Sequence, residues 1–176
     1  RRLAPLVDCF TLTSQQHKRY LRYQNARVVP CGIDMDLFRP MPQREARAAL
    51  GWDPDRKVMT YIGAHRPEKR VDIVRAAHEM LKARYPNLDL ALPHGLPHDQ
   101  IPLYMNAADV LVLASDYEGS PMVIKEAMAC NLPIVSTPVG DVPEVIGGTE
   151  GCFLCEQTPE DVAAKVELAL AFGRRT

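Results

Sequence analysis

The 176-residue chain has no apolar run approaching the roughly 20 residues that a membrane-spanning helix needs. Its first residues, Arg1-Arg2-Leu3-Ala4-Pro5, make neither a signal peptide nor an initiator sequence, so the chain reads as cut at its start. An excess of either charge is also lacking. With 21 basic against 22 acidic residues the formal net charge is −1, which excludes the broad basic field that drives nucleic-acid binding through counterion release. Any anion must therefore be held by a local cluster. No G-x-G-x-x-G follows an expected strand and no G-x-x-x-x-G-K-[ST] occurs, which argues against a dinucleotide oxidoreductase and a P-loop NTPase. The G-x-S-x-G elbow of serine hydrolases is missing as well. His17, His65, His78, His94 and His98 do not pair with cysteines at metal-ligand spacing, so no metal site is expected.

The five cysteines, Cys9, Cys31, Cys130, Cys152 and Cys155, are an odd set scattered through apolar segments, the pattern of buried thiols in a reducing compartment. This points to a cytoplasmic protein, with peripheral membrane attachment of a longer chain left open. Cys152-Phe153-Leu154-Cys155 has redox-motif spacing, but it follows Gly151 in an expected short strand, where residues three apart face opposite ways. Core packing is the simpler reading.

What is present is an ordinary globular balance, 47% apolar and 24% charged, at a length of one domain and a fraction. From residue 57 onward β-rich runs alternate with helical periodicity, which predicts an α/β fold, a Rossmann-like parallel sheet with helices on both faces. Strands are expected at 57–63, 88–92, 109–114, 133–137 and 151–155. A helix over 72–85 carries Ile73, Val74, Ala77 and Leu81 on one face, and another covers 159–172. Between them a helix opens at Ser120-Pro121, with Ser120 as N-cap and Pro121 in the first turn. A turn or short helix is expected near 142–146, and a short helix over 42–50 stops at Gly51. Residues 7–12 read as a strand and 14–23 as a polar helix with no sheet of their own to join, and 28–40 as a Pro- and Gly-rich linker.

The segment 116–129 (DYEGSPMVIKEAMA) places Glu118 on a loop leaving a central strand and Glu126 in the helix that follows. In doubly wound sheets ligands sit where strand C-termini meet helix N-termini, and the unpaired first-turn amides there favour phosphate. Carboxylates beside such a site repel phosphate and suit neutral hydroxyls, so the combination describes a sugar nucleotide. Two glutamates eight apart are, by themselves, also the pattern of a solvated helix face.

The surrounding sequence decides between these. Residues 118–129, followed by 133–137 (PIVST) and 140–144 (GDVPE), resemble the donor-binding signature of family 4 glycosyltransferases, retaining enzymes of the two-lobed GT-B architecture. Residues 28–40 (VVPCGIDMDLFRP) resemble that family's interdomain segment and 63–72 (GAHRPEKRVD) its basic loop. The resemblance divides the chain into a remnant of an N-terminal acceptor domain (1–27), an interdomain linker (28–40) and a nucleotide-sugar-binding domain (41–176). It implies that Glu126 holds the nucleotide ribose and Glu118 a hydroxyl of the donor sugar. Lys69 and Arg66 would neutralise the diphosphate, stabilising leaving-group charge without a metal. Met122 and Val123 would offer amides to the phosphates. Gly63, His65, Gly119 and Ser120 complete the donor-binding set, His65 with a loop-packing role as its other reading.

Four departures from the family pattern stand out. Ala64 replaces an arginine, with Arg66 taking over. Ser120-Pro121 replaces Phe-Gly, so residue 121 has no amide to give. The link 93–98 is short where many relatives insert a helix and strand, a feature shared with polysaccharide-building, teichuronic-acid-type members. Both ends stop short of segments that relatives carry. The implied function is transfer of sugar from a nucleotide-diphospho-sugar, UDP-sugar in preference to GDP-sugar, to a glycan or lipid-linked acceptor in cell-surface polysaccharide synthesis, with no cofactor. From another class, a non-catalytic module could retain the scaffold and self-associate through apolar residues around Leu3, Leu6 and Leu37. A nucleotide-sugar epimerase is disfavoured because its motifs differ from the 118–129 run.

Overall fold

The structure, a computed structural model, describes residues 9–13 and 26–176. The helix expected over 14–23, the start of the strand expected over 7–12, and Leu3 and Leu6 lie outside the described residues. Strands β1 (Phe10–Leu12) and β2 (Ala26–Val28) pair in parallel as a two-stranded sheet, Phe10 opposite Ala26. The first strand therefore does have a partner, and Val28 closes a strand instead of opening a linker. Three residues are too few for alternation to announce β2.

The second sheet holds β3 (Lys57–Thr60), β4 (Leu88–Ala91), β5 (Val110–Leu113), β6 (Ile134–Ser136) and β7 (Cys152–Leu154), all parallel, in the order β4-β3-β5-β6-β7. The expected α/β class is observed. Strand β5 is buried along its whole length, as the central strand of a covered parallel sheet must be. Around the sheet lie α1 (Gln43–Leu50), α2 (Val71–Lys82), α3 (Ile101–Ala107), α4 (Met122–Ala129), α5 (Val142–Ile146) and α6 (Pro159–Phe172). Helix α2 buries Ile73, Val74, Ala77 and Leu81 as its periodicity predicts, and packs on α6. The buried His78 is satisfied by the Leu88 carbonyl, 3.0 Å from Nε2. Since β3 is flanked by β4 on one side and β5 on the other, the β3–β4 connection runs to one side and the β4–β5 connection crosses back past β3 to the other. Ligand crevices open beyond the strand C-termini at such a switch point.

Helix α4 starts later than its sequence predicts. Pro121 is the extended N-cap residue (φ −68°, ψ 114°) and no side chain among the described residues caps the helix. The Ser120 hydroxyl instead donates to Asp141 Oδ2 at 2.7 Å and accepts from Lys125 Nζ at 2.6 Å. Two charged partners, Asp141 21 residues away and Lys125 from within α4 itself, outcompete a local amide. Leu37 is half-buried against the core, and the exposed apolar side chains of its segment are Val29 and Met35.

At the opposite, N-terminal end of the strands, Asp109 accepts from Arg47 Nη2 at 2.7 Å and from the Val58 amide at 2.6 Å. Arg47, 4% exposed, also donates to the carbonyls of Ala107 (2.9 Å) and Pro54 (2.7 Å). This fully bonded pair fastens α1 beneath β3 and β5.

Cys130 and Cys155 are buried and Cys152 half-buried, whereas Cys9 and Cys31 are exposed, so the thiols are not uniformly in the core. Burial pushes the Cys130 thiol up to about 11 and the Cys155 thiol up to about 12. At pH 8 a thiol-reactive disulfide should label Cys9 and Cys31 quickly and reach Cys130 and Cys155 only on unfolding. Unfolded thiols ionise near 9.0 and these two do not, so stability is complete below that pH and should fall as pH rises from 9 towards 12. Asp109→Ala strands a buried guanidinium and should lower the unfolding free energy by about 3–5 kcal/mol, read by urea denaturation.

Candidate functional site

At the switch point a cleft of about 220 Å³ opens between the loops that leave β3 and β5. Six of the residues singled out from sequence line it: Gly63, Arg66, Lys69, Glu118, Met122 and Val123. A larger hollow, about 390 Å³ near Trp52, Val58 and Leu90, collects no comparable set of cations and carboxylates. Position at the strand ends, and not volume, marks the site.

The floor of the cleft is fixed by Tyr61. Its ring is buried, its hydroxyl donates to the Ala64 carbonyl at 2.9 Å, and burial pushes its phenol up to about 12. Gly63 passes so close that a Cβ there would stand 2.9 Å from the Tyr61 hydroxyl. The chain then makes one 3-10 turn, Pro67–Lys69, and leaves it through Arg70 at φ 48° and ψ 45°, a left-handed conformation that costs a residue with a Cβ roughly 1 kcal/mol or more. That strain is offset by bonds to both flanks. Arg70 donates to Asp72 (3.1 Å) and Asp116 (3.4 Å), and the Asp116 amide donates to the Glu68 carbonyl (2.9 Å).

The result is to bring Lys69 against Glu118. Nζ lies 2.6 Å from Oε1, with side chains 17% and 13% exposed, and Ser115 donates to the same oxygen at 2.8 Å. Glu118 Oε2 takes no hydrogen bond from the described residues. Arg66 is 64% exposed and its nearest anion is Glu68 at 3.3 Å, a surface pairing too weak to hold it away from an anion in the cleft. Met122 and Val123 open α4, and their amides have no partner within the helix, whereas the Ile124 amide already donates to the Pro121 carbonyl at 3.2 Å.

The remaining expected residues lie around the cleft without lining it. His65 is exposed, its ring 4.6 Å from that of His94 and 5.9 Å from Tyr61; burial first, then His94 and Arg75, hold its pKa below the ordinary value. The geometry matches loop packing. Gly119 is pressed against Gly140, where a Cβ would come 2.6 Å from the Gly119 carbonyl oxygen at φ 58°. Ser120 belongs to a network with Lys125 and Asp141, whose Oδ2 is 3.0 Å from Lys125 Nζ, while Asp141 Oδ1 is buried without a partner among the described residues. Glu126 is 5% exposed, one of the few buried acids, and its Oε1 lies 3.0 Å from His98 Nε2.

Sequence reasoning did not single out Ser115, His98, Lys125 or Asp141. Asp141 lies in the Gly140–Glu144 stretch and Lys125 in the 118–129 run, but no spacing rule pairs them. Among the described residues no group of three or more His, Cys, Asp and Glu side chains could hold a metal ion.

The family model described as glycosyl transferases group 1 matches residues 65–171. Among curated proteins, a D-inositol 3-phosphate glycosyltransferase of Segniliparus rotundus is 29% identical over 182 aligned positions, covering 86% of this chain and 40% of that protein. Its counterpart in Mycobacterium bovis is 33% identical over 145 positions, 68% of this chain and 30% of that protein. The chain thus spans less than half the length of these relatives. Among solved structures, sucrose-phosphate synthase from Thermosynechococcus elongatus superposes with a TM-score of 0.79 at 26% identity, over 94% of this chain and 49% of that one. The fold is shared by Anabaena HepE, solved with UDP and glucose (TM-score 0.72, 19% identity, 93% and 54% covered). It is shared too by the C-terminal domain of a group 1 glycosyl transferase from Francisella tularensis (0.71, 20%, 80% and 88%). With more than half its length matched by the family model, and its cleft at the switch point of the sheet that these proteins share, the chain belongs to the glycosyl transferases group 1 family.

Proposed function

We propose that this chain is the donor-binding domain of a retaining, metal-independent glycosyltransferase. It takes a nucleotide-diphospho-sugar, a UDP-sugar in preference to a GDP-sugar, and serves transfer to a glycan or lipid-linked acceptor. The observation that carries this reading is the half-buried Lys69–Glu118 pair at the mouth of the switch-point cleft, beside the first turn of α4. Lys69, Arg66 and the amides of Met122 and Val123 would face the diphosphate, where cations and a helix N-terminus stabilise charge that grows as the sugar–phosphate bond breaks. Glu118 would accept from a sugar hydroxyl through Oε2. Glu126, buried with one side-chain partner among the described residues, would accept from ribose hydroxyls.

In this reading residues 1–27 belong to an acceptor domain, 28–40 link the two, and 41–176 bind the donor. The acceptor surface needed to hold a nucleophile against the anomeric carbon lies in that other domain. A cytoplasmic, membrane-peripheral enzyme of cell-surface polysaccharide synthesis, similar to teichuronic-acid-type members, fits the short 93–98 link. The D-inositol 3-phosphate relatives make a phosphorylated polyol the acceptor to test beside glycans. The exposed Val29 and Met35 favour a second reading, self-association of a non-catalytic module through the same face.

Saturating nucleotide sugar, at 100 times its dissociation constant, should stabilise the fold by about 2.7 kcal/mol and raise the melting temperature, with or without EDTA. UDP-, GDP- and ADP-sugars should be compared, and the absence of any shift refutes donor binding. The double variant Lys69→Ala/Glu126→Ala should abolish the shift and, under the second reading, leave association measured by sedimentation unchanged. The isolated chain should transfer little or no sugar, so steady, saturable turnover by it would sink the divided-domain account.

A further inference from the structure

The least accounted-for contact beside the cleft is that between Glu126 and His98. Glu126 is almost wholly buried, yet its one side-chain partner among the described residues is His98, on Oε1. An ionised carboxylate accepts several hydrogen bonds, so most of its capacity is unused. A buried charge left this way costs stability unless another donor arrives. His98 is not a core filler, since its side chain is 62% exposed. It is nevertheless held on two sides. Pro97, extended at φ −53° and ψ 141°, opens the single turn His98–Gln100 that runs into α3. The imidazole also packs, centroids 5.1 Å apart and planes at 59°, on the fully buried ring of Phe38 from the segment between β2 and α1. The short connection from β4 thus delivers an exposed but oriented ring to a carboxylate 28 residues away on α4.

We propose that His98 is the positioning residue for ribose recognition: it donates Nε2–H to Glu126 Oε1, fixes the plane of that carboxylate, and leaves Oε2 to accept from the 2′- and 3′-hydroxyls of a nucleoside diphosphate. This rests on the reading of Glu126 as the ribose acceptor. An ionised carboxylate cannot donate, so the proton of this bond is on Nε2. Glutamate has three rotatable side-chain bonds, and a vicinal diol is held only when both acceptor directions are set. Packing on Phe38 also makes the ring, and through it the carboxylate, dependent on the 28–40 segment.

Calorimetric titration of the full 176-residue chain with UDP, GDP and ADP, each beside its 2′,3′-dideoxy form, tests the proposal. The wild-type chain should prefer the ribose form of the diphosphate it binds best. His98→Ala should weaken that form about tenfold, the scale of one hydrogen bond to a charged group, and leave the dideoxy form unchanged. His98→Gln, whose amide nitrogen reaches the place of Nε2, should restore most of the preference. If His98→Ala keeps the preference, or weakens both forms equally, the positioning role is wrong while Glu126 keeps its own. A wild-type chain that does not distinguish ribose from dideoxyribose overturns the assignment of Glu126, and the role of His98 with it.

Discussion

The ammonium of Lys69 against the carboxylate of Glu118 holds the loop leaving β3 beside the loop leaving β5, and the cleft is the space those two loops enclose. Tyr61 and Ile62 root the first loop in the core and Ala114 and Pro121 the second, while residues 63–70 and 116–120 between them are half-buried or exposed. Half-burying both charges is costly, and the pair persists because geometry and auxiliary bonds repay the desolvation. Ser115 shares Glu118 Oε1, the Asp116 amide reaches the Glu68 carbonyl, and Arg70 accepts a left-handed backbone to bond Asp72 and Asp116. Gln157, from the segment after β7, closes the arrangement by donating to the Ala114 carbonyl and Asp116 at 2.8 Å.

The two ends of the sheet treat charge differently. At the N-terminal ends Asp109 accepts from Arg47, the Val58 amide, Gln43 and Lys57, Arg47 also donates to two carbonyls, and Arg175 donates to the carbonyls of Met105, Ala108 and Cys130. Such multiply bonded networks rigidify the fold. At the C-terminal ends, among the described residues, Glu118 Oε2 has no hydrogen-bond partner, the Glu126 side chain has one and the buried Asp141 Oδ1 has none. Unspent hydrogen-bonding capacity in buried acids is what separates the site from structural ion pairs.

Much of the frame was legible because it is local. The helices at 142–146 and 159–172 have the bounds that Pro and periodicity predict, and α2 buries the apolar stripe read from its spacing. Six of the ten expected site residues line one cleft, since motifs that flank strand ends converge wherever parallel strands are adjacent. What escaped has a remote partner: β2 exists through β1, Ser120 leaves its capping place for Asp141 21 residues on, and His98 matters through Glu126. Leu37 is drawn half into the core by packing that its own segment does not announce.

The sequence by itself determined the class of sheet, the helices and the chemical kinds of residue at the strand ends, because apolar period, turns and proline act within a few neighbours. Only the tertiary structure decided which acid meets which base. A hydrogen bond forms over about 3 Å, and whether side chains dozens of residues apart come that close depends on strand order, loop length and competing partners, none of which the spacing of letters encodes.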